Sequence, residues 1–138
     1  VRVVKAFPPN ITEIRKHFPI SGREMFCWGD LIYNPSGEAI PEWLIVHERV
    51  RRFQQHYHEG GIEGWWKEYL DSKDFRFEVE LEAHVAEFNS YSQSDHNRHQ
   101  RRAYLALISK RLSSNLYGGM VSKKTAQKLI RANQLSKN

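Results

Sequence analysis

Apolar positions along this chain fall first into short runs and then at helical spacing. "RVVKAF", residues 2–7, reads as a short strand stopped by Pro8-Pro9. Asn10 is placed to cap a short helix, "ITEIRKHF", which Pro19 closes. Met25–Trp28 and Leu31–Tyr33 are two apolar runs joined at Gly29-Asp30, a pattern that predicts a tight β-hairpin. "NPSG" predicts a turn, and Pro41 suits the first position of a helix running from about 41 to 58. Trp43, Val46, Val50, Phe53 and Tyr57 recur there at intervals of three and four, which predicts one buried stripe. "IEGWWKEYL" predicts a short aromatic helix. "FRFEVELEAHVAEFNSY" alternates like a strand through Glu82. Phe77, Leu81, His84, Phe88 and Tyr91 nevertheless keep helical spacing, so a helix over about 75–92 is predicted. Two further helices are expected at about 96–112 and 122–133, separated by "NLYGG", with Ser122 capping the second. Together these give an α+β fold, mainly helical with a small N-terminal β-hairpin or sheet. With no repeat or linker, one domain is expected over 1–138.

Four Trp, seven Phe and six Tyr supply large groups for a core. No apolar run approaches the ~18 residues of a membrane span, so no membrane partner is expected. The "VRVV" start is expected to follow a removed initiator Met and does not resemble a signal peptide. The single Cys27 allows no internal disulfide and fits a reducing compartment, with a small buried side chain the expected role. The net charge of +5 is unevenly spread. Residues 1–94 hold 11 Lys/Arg against 15 Asp/Glu, a net of −4, while residues 95–138 hold 10 against the single Asp95, a net of +9. The basic helical C-terminal part, about 95–138, can neutralise the rest of the fold or meet an anionic partner such as nucleic acid. Within "HNRHQRR", Arg98, Arg101 and Arg102, together with Lys110 further on, form the candidate basic patch. A solvated helix start is the plainer expectation for that run. Trp65-Trp66 can offer a stacking surface, but adjacent helical residues point apart, so at least one is expected in the core.

The candidate chemistry sits in "IPEWLIVHERVRRFQQ", residues 40–55. His47 and Glu48 open an H-E-x-x-H pattern, in which two histidines four apart bind zinc from one helical face and the Glu acts as general base. Arg51 stands where the second histidine belongs. Arg is permanently charged and offers only donors, so it cannot ligate a metal. An isolated H-E pair on an amphipathic helix is ordinarily structural. "ELEAH" adds Glu80 and His84, again four apart, beside the apolar stripe of a later helix. His56 and His58 are further candidates near the end of the first helix.

"AFPPNITEI", "FCWGDLIYNPSGEAIPEWLIVHE", "EGWWKEYL" and "RLSSNLYGG" resemble small phage-encoded proteins similar to zinc peptidases of the H-E-x-x-H class, over about Phe7 to Ile130. In the gluzincin group the third ligand is a Glu on a downstream helix, and Glu80 lies 33 residues after His47. The resemblance implies a zincin-like helix pair, a phage origin, and a location in the virion or the host cytoplasm. It assigns His47 as first ligand, Glu48 as general base if the protein is active, and Glu80 as downstream ligand.

Three readings of Arg51 stay open. Arg51 replaces the metal and ties Glu80, and Glu48, across the helix pair, giving a non-catalytic interaction or virion component that needs no cofactor and whose partners are other phage proteins. Alternatively, His84 completes a rearranged His47/Glu80/His84 zinc site in a small peptidase. In the third, the resemblance is architectural and these are ordinary buried polar contacts. A nucleic-acid-binding accessory role for the basic part stands beside all three.

Overall fold

A computed structural model of the protein describes residues 2–133, with Leu116 described for its backbone alone; positions 134–138 of the expected basic part, and Val1, lie outside the described residues. The fold is α+β and mainly helical, with a three-stranded sheet near the N-terminus. Strand β1 (Arg2–Val4) runs parallel to β3 (Leu31–Tyr33), with Val3 opposite Ile32. Strand β2 (Phe26–Trp28) is antiparallel to β3 across the hairpin, with Cys27 opposite Ile32. Gly29 turns that hairpin at φ +60, the left-handed region that favours glycine. Helix α1 (Ile11–His17) starts at Asn10, but the Asn10 side chain makes no capping hydrogen bond; its backbone carbonyl accepts from Ile14 instead.

Helix α2 (Glu42–Tyr57) begins one residue after Pro41. Helices α3 (Gly61–Asp71) and α4 (Lys73–Gln93) follow, α4 capped by the Ser72 hydroxyl on the Phe75 amide. The alternation in "FRFEVELE" therefore does not make a strand. Helix α5 (Arg98–Leu112) opens with a capping box between Asn97 and Gln100. A short 3-10 turn, Asn115–Tyr117, leads to α6 (Lys123–Ala132), capped by Ser122 as expected.

Two apolar clusters hold these elements. The first gathers Ile14, Phe26, Trp65, Trp66, Tyr69, Leu70 and Val79, so both adjacent tryptophans are core residues. The second gathers Phe88, Leu105, Ile108, Leu112, Tyr117, Ala126 and Ile130. Helix α4 supplies Val79 to one and Phe88 to the other. Between them α2 packs along α4.

The expected stripe on α2 is corrected here. Phe53 and Tyr57 are 63% and 74% exposed and lie against each other on the outside, with ring centroids 5.6 Å apart. The buried face of α2 is His47, Glu48, Arg51 and Gln55. Polar groups can occupy an interior when they satisfy one another, and the surface α4 presents to α2 carries Glu80, His84 and Glu87.

Candidate functional site

The α2–α4 interface brings His47, Glu48 and Arg51 together with Glu80 and His84, all buried. Helical geometry explains the meeting. His47 and Arg51 are four apart on one face of α2, and Glu80, His84 and Glu87 follow at four and three on one face of α4. Arg51 is the hub. Its Nε and Nη2 both donate to Glu80 Oε1, at 2.8 and 2.5 Å, and its Nη1 reaches Glu48 Oε1 at 3.4 Å. Nη2 also touches the Tyr69 hydroxyl at 3.5 Å, and the guanidinium lies over that ring.

His47 works on the other side of Glu80. Its Nε2 lies 3.5 Å from Glu80 Oε2, while its Nδ1 donates to Glu87 Oε1 at 2.7 Å. His84 Nδ1 meets the same Glu87 oxygen at 3.1 Å, and the two imidazoles pack edge to face. Tyrosines from the C-terminal part close the network: Tyr117 donates to Glu80 Oε2 at 3.1 Å, and Tyr104 donates to Glu87 Oε2.

Opposite charges meet in this cluster. Burial on its own would raise the Glu80 carboxyl, but Arg51 first, and then His47, hold it well below the usual carboxylate range. Glu87 is likewise held low by His47 and His84 against burial. Burial pulls His47 down, but its contacts with Glu80 and Glu87 outweigh that and raise it to about 9, so the ring is cationic at neutral pH. Glu48 goes the other way: burial raises it despite Arg51 and His47, favouring the neutral acid. Arg51 and His47 thus face the carboxylates of Glu80 and Glu87.

The H-E-x-x-H ligand set does not fit zinc in this chain. A guanidinium fills the second ligand position and occupies one oxygen of the Glu that would be the third. A rearranged set is drawn more easily. His84 Nε2 is buried with no hydrogen-bond partner and stands 3.9 Å from Glu80 Oε2. Ligand atoms of His47, His84 and Glu87 lie within 4.8 Å of one another, so Glu87 competes with Glu80 as the carboxylate of such a site. Glu48 Oε2, the other oxygen of the would-be base, is also buried without a partner.

The cluster floors a cleft of about 690 Å³. Ile14, Phe18, Ile20, Met25 and Leu44 contribute apolar lining, with Arg23, Lys110 and Arg111 among the charged residues. Lys110 therefore belongs to this cleft. Arg98, Arg101 and Arg102 instead line a separate pocket with Arg131, so the expected basic patch is two surfaces. His56 is exposed, and His58 pairs with Glu68 at 2.7 Å, so neither joins the site. Cys27 is 1% exposed and burial pushes its thiol up to about 12, an inert packing residue. Glu87, Tyr104 and Tyr117 escape a reading of the sequence. Of these only Glu87 carried a signal, its place three residues after His84 on the face of Glu80.

No protein-family model matches the chain, and neither a curated protein nor a solved structure matches it. No helix among the described residues is long and apolar enough to cross a membrane.

Proposed function

We propose that this chain is a non-catalytic phage protein, an interaction or virion component built on a degenerate zincin-like helix pair. The observation that carries the reading is the forked donation from Arg51 Nε and Nη2 to Glu80 Oε1. It joins the position of the missing second histidine to the position of the downstream Glu ligand. A planar guanidinium suits that role, because its fixed fork satisfies a carboxylate with directed hydrogen bonds. His47 supplies the second positive charge through its proton, and Glu48 is pushed towards a form that cannot act as a base. The cleft above the cluster then serves to bind rather than to hydrolyse.

A second reading, a small zinc-dependent peptidase with a rearranged ligand set, is favoured by one observation. The buried, unpartnered His84 Nε2 faces Glu80 beside His47. Calorimetric titration of zinc at neutral pH separates the two. The unmodified protein is expected not to bind, and Arg51→His is expected to bind by completing H-E-x-x-H with Glu80 available. Tight binding by the unmodified protein, lost in His84→Ala, would establish the rearranged site instead. Absence of binding by Arg51→His would remove the metallopeptidase origin and leave ordinary buried polar contacts.

A further inference from the structure

Four arginines of the C-terminal part line one small pocket, and none of them forms an ion pair among the described residues. The pocket, of about 310 Å³, is lined by Arg98, Arg101 and Arg102 of α5, Arg131 of α6, and the buried Phe88 and Leu105. Elsewhere, Arg49 pairs with Glu42, Arg51 with Glu80 and Arg52 with Asp30. Among the described residues no ion pair involves any of the pocket arginines, nor does one cross between residues 2–94 and 95–133. Within the described residues, 95–133 are therefore not neutralised by direct ion pairs with 2–94. Arg101 Nη1 donates to the His96 carbonyl at 2.7 Å, which fixes that side chain at the pocket wall. Arg98, Arg102 and Arg131 are exposed.

Gathering like charges in one concavity is unfavourable without a counter-charge, because they repel and each must keep its own hydration. The first turn of α5 makes this worse, since it carries no acidic residue and places Arg98 against the positive end of the helix dipole. An anion with several acceptor oxygens relieves both conflicts, and guanidinium forks match phosphate geometry. The positive surface also extends beyond the pocket. Lys124, Lys128 and Arg131, at intervals of four and three on one face of α6, are all exposed. That row covers about 10 Å of helix, enough to follow successive phosphates of a strand.

We infer that the α5–α6 surface, with the four-arginine pocket at its centre, binds the phosphate backbone of nucleic acid without reading its sequence. The pocket offers guanidinium donors over the buried Phe88 and Leu105, and no base-specific arrangement is needed. This inference does not depend on the reading of the cleft.

Fluorescence anisotropy with a short labelled DNA duplex, and with one of its single strands, tests it between roughly 50 and 200 mM salt. The full chain is expected to bind, weakening linearly in log affinity against log salt. The Arg98→Gln/Arg102→Gln/Arg131→Gln variant, which leaves the Arg101–His96 contact in place, should lose about tenfold or more at low salt. Its salt slope on duplex should be shallower by about 0.9 for each phosphate contact removed. An Arg49→Gln/Arg52→Gln variant should bind like the unmodified protein, and thermal melting should show all of these folded. A triple variant with the original affinity and slope would overturn the inference. So would binding of a phosphoserine peptide by a protein that retains neither form of DNA.

Discussion

Arg51 and His47 are the two positive groups that α2 brings to the cluster against α4, and they respond differently to pH. Arg51 stays charged throughout, held so by Glu48 and Glu80 against burial. His47 titrates: its folded value of about 9 lies above the ordinary 6.5. A group raised in this way stabilises the fold fully below its unfolded value, and that contribution is lost as pH rises through the folded one. Glu80 and Glu87, both held low, behave oppositely and lose their contribution as pH falls below the usual carboxylate range. Stability should therefore decline between pH 6.5 and about 9, by about 1.4 kcal/mol per pH unit for one proton. Urea denaturation across that window should show the slope, and His47→Gln should flatten it. A slope unchanged in His47→Gln would mean that the imidazole is not the titrating group.

Besides the exposed Arg52–Asp30 pair, helix α2 is joined to the hairpin by a buried side chain one turn beyond Arg51. Gln55 is fully buried; it accepts from the Gly29 amide at 2.8 Å and donates to the Cys27 carbonyl at 2.8 Å. Trp66 of α3 donates to the same carbonyl at 3.0 Å, so hairpin, α2 and α3 meet at one backbone group. The turn itself has little freedom, since a Cβ on Gly29 would come within 2.9 Å of Ile62 Cδ1. Gln55→Ala removes both bonds and leaves the part-buried Gly29 amide unpaired, a loss of about 1–3 kcal/mol. Faster hydrogen exchange at Gly29, with α4 amides unchanged, should accompany the lower urea midpoint. Uniform loss of protection would show that the contact supports the whole fold rather than the hairpin.

For the molecule as a whole, the basic C-terminal part docks through the second apolar cluster and two tyrosine hydroxyls, and among the described residues no ion pair joins it to residues 2–94. Tyr104 reaches Glu87, and Tyr117 reaches Glu80, so the carboxylates that neutralise α2 also anchor α5 and the 3-10 turn. Tyr104→Phe with Tyr117→Phe keeps the rings but deprives both carboxylates of a buried donor, at about 1–3 kcal/mol for each. Hydrogen exchange should then rise first in α5 and α6 while α3 stays protected. Equal loosening of α3 would mean that the two apolar clusters open together and that the tyrosines are not a local latch.

Much of this was legible in residue order. The hairpin at Gly29-Asp30, the helices, and the two polar pairs at four-residue spacing follow from backbone hydrogen bonding and side-chain direction, which reach only a few residues along the chain. So does the exclusion of Arg51 as a metal ligand, since a guanidinium has no lone pair to give. The partners of those groups were not legible. Hydropathy placed Phe53 and Tyr57 inside, because an apolar count does not know that His47, Arg51, Glu80 and Glu87 cancel one another's charge once α2 meets α4. Tyr104 and Tyr117 lie 17 and 37 residues from the carboxylates they satisfy, and Arg131 joins Arg98, Arg101 and Arg102 only because α6 folds back on α5. Spacing along the chain decided which groups share a face; packing decided which faces meet, because burial is a property of the contact and not of the residue.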